Sequence, residues 1–146
     1  MTKFKWNEKG FTMLEMLLVL MIVMVVSSSV LFLISPKMKK VEEERFYKQL
    51  HLDILRLQAI SIGDLGYTVL DFPNNRTKYE GKMRGVLLFE KEFPKHIRLS
   101  SNSSLKDIAF HPNGNISDFG NLLFKTDDGE KRMTVYIGRG LINFEK

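Results

Sequence analysis

Cysteine is absent from the 146 residues. That one absence removes disulfides, thiolate metal sites, a cysteine nucleophile and a lipid-modified cysteine anchor. A small exported domain without disulfides relies on its own core or on its neighbours. Histidine is scarce: His51, His96 and His111 are scattered, and no two share metal-ligand spacing with a carboxylate. No glycine-rich phosphate loop, no Gly-x-Ser-x-Gly and no paired catalytic carboxylates occur. Asp127-Asp128-Gly129-Glu130 supplies oxygens but lacks the alternating acidic spacing of a calcium loop, and reads as a turn. The expectation is therefore a protein that is no enzyme and holds neither cofactor nor metal. A strong excess of one charge is missing too. There are 22 basic and 17 acidic residues, and from Phe11 onward 19 and 16, a net charge of +3. That is too little to announce a nucleic-acid surface.

What is present is an uneven distribution of apolar residues. Met16–Val26 is apolar throughout, Val30–Ile34 adds five more, and from Phe11 to Ile34 the single charge is Glu15. Twenty-four helical residues rise to about 36 Å, enough for a hydrocarbon core of about 30 Å. Membrane attachment is the expectation. An ordinary secretory signal cut near Ser27-Ser28-Ser29 is one alternative and a plain single-pass anchor another. Against the first, the apolar pattern resumes at Val30 and Glu15 interrupts the run.

The string Lys9-Gly10-Phe11-Thr12-Met13-Leu14-Glu15 resembles the leader of type IV pilins and pseudopilins. The resemblance implies that a membrane prepilin peptidase cuts between Gly10 and Phe11 and methylates the amine of Phe11. It makes Glu15 the fifth residue of the mature chain, in the position where the family carries its glutamate. It also implies other pilin-like subunits as partners, with a cytoplasmic ATPase and a membrane platform protein driving assembly. The basic residues Lys3, Lys5 and Lys9 on one side and Lys37, Lys39 and Lys40 on the other tie under the positive-inside rule. The resemblance puts the leader inside and the rest outside, first in the cytoplasmic membrane and then in a cell-surface filament. The arrangement makes physical sense. A carboxylate in hydrocarbon costs a few kcal/mol or more unless it finds a proton or a partner. Cleavage creates a cationic amine at Phe11, and in a bundle the amine of an incoming subunit can neutralise the glutamate of one already placed.

After Pro36, where a kink or break is expected, an amphipathic helix runs to about Ile62. Phe46, Leu50, Ile54 and Leu57 mark its buried face. Glu42, Glu43, Glu44, Arg45, Lys48 and Arg56 fall mostly on the solvated face, His51 sits beside the apolar one in a structural role, and Gly63 is the stop. Short strands are expected at Gly66–Phe72, Gly85–Glu90, His96–Ser100, Asp107–His111, Leu122–Thr126, Arg132–Ile137 and Leu141–Phe144. Turns fall at Pro73-Asn74-Asn75, Pro112-Asn113-Gly114 and Asp127-Asp128-Gly129. The fold class is α+β, pilin-like: a long amino-terminal helix packed on one carboxyl-terminal antiparallel sheet. The expected organisation is a cleaved leader (1–10), a transmembrane and assembly helix (11–36), an amphipathic helix (37–62) and a β-rich head (63–146).

Phe110–Ile116, Gly120, Leu122–Phe124 and Ile137–Gly140 resemble the carboxyl-terminal region of minor pseudopilins, most of all the competence type called ComGD in Gram-positive bacteria. That implies a filament for DNA uptake in transformation. A type II secretion pseudopilin or a minor type IV pilus subunit is the alternative within the class. A secreted or membrane-anchored ligand-binding domain is the alternative outside it. Lys78, Tyr79, Lys82 and Arg84 form a basic stretch with an aromatic that suits a DNA contact, and Lys131, Arg132 and Arg139 could form another. Acidic residues interleave with both, so DNA is assigned to the filament and its partners.

Overall fold

A computed structural model describes residues 12–73, 76–136 and 142–145, with 30–36, 142, 144 and 145 in backbone only. The elements are α1 (Met13–Gly63), β1 (Thr68–Asp71), β2 (Lys78–Met83), β3 (Val86–Glu92), β4 (Arg98–Leu99), β5 (Asp107–Phe110), β6 (Gly120–Thr126), β7 (Gly129–Val135) and β8 (Ile142–Glu145). The class is α+β, as expected. The chain divides into two compact units, one ending at Lys40 and one spanning Val41–Lys146.

In the first unit, Met13, Leu14 and Met16–Val26 are each 47–83% exposed. Ser28 and Ser29 lie inside α1, where their hydroxyls donate to the carbonyls of Met24 and Val25 at 2.8 and 2.9 Å. Among the described residues no helix is long and apolar enough to cross a membrane. The expected span 11–36 includes Phe11, outside the described residues, and 30–36, described in backbone only. Of the kink or break expected at Pro36, the break does not occur: the helix is continuous there. The proline removes one backbone bond, and the cooperative turns on both sides outweigh that loss.

In the second unit, Phe46, Leu50, Ile54 and Leu57 are buried, as their spacing predicts. Phe46 is the hub, its ring 4.9 Å from Phe93, 5.9 Å from Phe124 and 6.4 Å from Tyr79. Such pairs contribute about 0.5–1.5 kcal/mol each beyond area burial. The same helical face buries two carboxylates. Asp53 meets Lys91 of β3 at 2.8 Å, and Glu43 meets Lys131 of β7 at 2.6 Å. Glu43 is thus corrected from the solvated face to the core. The helix stops at Gly63, as expected, and the left-handed residue that closes its end is Leu65. Leu65 takes φ 45°, and the Gly66 amide bonds back to the Ser61 carbonyl at 3.1 Å.

One sheet was expected and there are two, ordered β3-β2-β1-β5 and β4-β6-β7-β8, every pairing antiparallel. Strand β2, absent from the expected set, lies between β1 and β3. A bulge falls at Gly81/Lys82, where Phe89 packs against the bare backbone of Gly81: a Cβ there would lie 2.4 Å from the ring. The Pro112-Asn113-Gly114 turn forms, closed by the Gly114 amide on the His111 carbonyl at 2.8 Å. Beyond the two-residue β4, the loop after Leu99 completes the edge of β6 with hydroxyls. Ser103 and Ser104 accept from the Leu123 and Asn121 amides at 3.0 and 2.7 Å.

Candidate functional site

The processing residues Gly10 and Phe11 lie outside the described residues, so the site begins at Thr12. Thr12 caps α1. Its carbonyl accepts from the Glu15 and Met16 amides at 3.0 and 3.2 Å, and its hydroxyl lies 3.3 Å from the Glu15 amide. Thr12-Met13-Leu14-Glu15 is therefore a capping-box sequence, and Glu15 stands in the first turn, where the helix dipole favours an anion. This local role was missed in the sequence, although the Thr-x-x-Glu spacing carries it. Glu15 is exposed, followed by the exposed apolar side chains of Met16–Val26. Chemically the segment is a hydrophobic rod with one anion near its start.

The basic stretch is placed quite differently from an open nucleic-acid surface. Alternation along β2 sends Tyr79 inward, where the ring is 1% exposed and the hydroxyl donates to Asp53 at 2.6 Å. Burial, then the Asp53 bond, pushes that phenol well above its usual range. Lys78 meets Glu80 and Glu90 at 2.9 and 2.8 Å, while Lys82 meets Asp71 and Glu80 at 2.9 Å each. Clamped by Lys82 and Lys78, the Glu80 carboxyl falls to about 2. Arg84 follows at a positive φ of 48° with its guanidinium near the carbonyls of Asp64 and Leu65. The four residues do not converge on one face: the aromatic is core and both lysines are engaged.

Of the second basic group, Lys131 is taken by Glu43 and lies 5.2 Å from the Tyr47 ring. Arg132 lies on the other face of β7, and Arg139 is outside the described residues. Asp127 and Asp128 form the two-residue loop between β6 and β7, closed by the Thr126 hydroxyl on the Gly129 carbonyl at 3.0 Å. Among the described residues no three acidic or histidine side chains gather as a metal site. His51 is half-buried on α1, and His96 approaches Glu42 at 3.9 Å. His111 meets the Ser117 hydroxyl at 3.2 Å in an exposed turn. An open groove of about 410 Å³ runs between Glu42, Arg45 and Gln49 of α1 and the Lys91–Pro94 segment. Its rim alternates cations and carboxylates and selects no ligand of one charge.

Among the described residues the segment with converging chemistry is thus the amino-terminal one. Residues 7–31 match the family described as the prokaryotic N-terminal methylation motif, a run of 25 residues in 146. No curated protein and no solved structure matches the chain. The chain carries a type IV pilin-like processing signal, the mark of a prepilin peptidase substrate that assembles with other pilin-like subunits.

Proposed function

We propose that this chain is a minor pilin-like subunit of a competence pseudopilus. It is cut between Gly10 and Phe11, methylated on Phe11 and held in the cytoplasmic membrane. From there an assembly ATPase and a platform protein draw it into a filament that serves DNA uptake. The observation that carries this reading is a conjunction. The methylation motif covers 7–31, and within it Glu15 occupies the first turn of a helix whose side chains from Met16 to Val26 are all exposed. An apolar surface of that kind leaves lipid only for burial against other such helices. The lone carboxylate then selects the register in which a neighbour's Phe11 amine lies beside it, because a slipped neighbour leaves a charge unpaired. The mid-helix position of Ser28 and Ser29, with both hydroxyls bonded internally, favours this reading over an ordinary signal cut at the serines. DNA belongs to the assembled filament rather than to Lys78, Tyr79, Lys82 and Arg84: Tyr79 is buried, both lysines are held in ion pairs and Arg84 turns to the carbonyls of Asp64 and Leu65.

Mass spectrometry of the mature chain tests the processing. The expected first residue is methylated Phe11, and a chain starting at Val30 or still carrying Met1 overturns the reading. Loss of the protein is expected to abolish transformation; undiminished DNA uptake would remove the competence assignment.

A further inference from the structure

Alternation gives each sheet an outer face, turned away from the core, and the two outer faces carry opposite charge. On the first sheet Glu90, Glu80, Asp71 and Asp107 stand directly opposite one another across β3, β2, β1 and β5. At about 4.8 Å per strand the row extends about 14 Å. Glu92 shares the face, opposite Lys78. Two lysines, Lys78 and Lys82, serve Glu80, Glu90 and Asp71. Asp107, on the edge strand β5, joins no ion pair among the described residues; Asp71 and Asp118 act on it as like charges and Lys106 as an opposite one.

The second sheet shows the reverse. Arg98 of the edge strand β4 stands directly opposite Lys125 of β6, both exposed, and Arg132 lies on the same face beside Leu123. Glu130 faces Lys125 from β7, and Glu145 of β8 is opposite Arg132 in the ladder. Neither Arg98 nor Lys125 is in an ion pair among the described residues. Like charges placed directly opposite destabilise a sheet. The Asp71–Asp107 and Arg98–Lys125 pairs are therefore each a cost within one molecule, relieved when opposite charge arrives from outside.

We propose that the Asp107–Asp118 end of one copy docks on the Arg98–Lys125 pair of a second copy. Two different patches of one chain make a head-to-tail contact, which repeats along a line unless its rotation closes a ring. Both patches end on edge strands, so neither requires a sheet to open. The contact lies within Val41–Lys146 and is independent of cleavage at Gly10, so either reading can fail alone.

Sedimentation velocity of the full chain in detergent micelles tests it. Self-association is expected at about 0.1 M salt and its loss at about 1 M, where the screening length falls from about 10 to about 3 Å. Asp107→Lys/Asp118→Lys and Arg98→Glu/Lys125→Glu are each expected to weaken association at least tenfold. Mixed one to one, the two variants are expected to associate again, because each altered face then meets its complement. That recovery also shows that both variants fold. A wild-type chain that stays monomeric at low salt overturns the proposal. So do variants that associate like wild type, or a mixture that stays apart.

Discussion

Replacing Lys91 with methionine tests how the helix is held to the first sheet. The Asp53 carboxylate, with its side chain 4% exposed, accepts from Tyr79 at 2.6 Å, from Lys91 at 2.8 and 3.1 Å and from Gln49 at 3.2 Å. Lys91→Met leaves that charge with two neutral donors and no cation. Breaking a fully buried pair costs 3–5 kcal/mol. Lys91 is 36% exposed, so solvent already screens part of the attraction and about 2–3 kcal/mol is expected. Asp53→Asn keeps the size and an acceptor for Tyr79, and is expected to cost about 1–2 kcal/mol. The double variant Asp53→Asn/Lys91→Met buries no charge at all. It should be no worse than Lys91→Met alone, a coupling of at least about 1 kcal/mol. Urea unfolding of the full chain in detergent at neutral pH, followed by circular dichroism, reads all four corners of the cycle. A Lys91→Met variant within about 0.5 kcal/mol of wild type, or strictly additive effects, would refute the reasoning.

Glu15→Gln separates the two roles of that residue. Glutamine preserves the capping box but not the charge, so the electrostatic account expects filament assembly to fail with Glu15→Gln, and normal assembly would leave only a capping role. Gly81→Ala places a methyl group 2.4 Å from the Phe89 ring and is expected to cost about 1–3 kcal/mol by urea unfolding; a neutral result means Phe89 does not pack there. Acid should weaken the fold through Glu80, whose folded value is depressed. The stabilisation is complete above the ordinary 4.5 and is lost as pH falls from there towards about 2. Glu80→Gln should flatten that part of the stability–pH curve, and an unchanged slope counts against the clamp.

The helix could be read from the sequence because its signals are local. Phe46, Leu50, Ile54 and Leu57 repeat at turn spacing, and their burial follows from that alone. The leader could be read because Gly10, Phe11 and Glu15 are close together in the chain. The burial of Glu43 could not, because its partner Lys131 lies 88 positions further along and only tertiary pairing brings it near. Strand β2 was hidden for a related reason. Its outward positions Lys78, Glu80 and Lys82 look like a solvated loop, and the inward set of Tyr79, Gly81 and Met83 includes a glycine that only the Phe89 ring explains. The split into two sheets was equally illegible: periodicity tells which face of a strand is buried, not which strand sits next to it.

The hydroxyl-lined edge of β6 has a consequence of its own. Amides exposed along a strand are templates on which any passing extended peptide can crystallise into unwanted fibres. Here Ser103 and Ser104 already occupy those positions as surrogate acceptors. This rim is thereby proofed against accidental strand exchange without spending a proline or a charge on it.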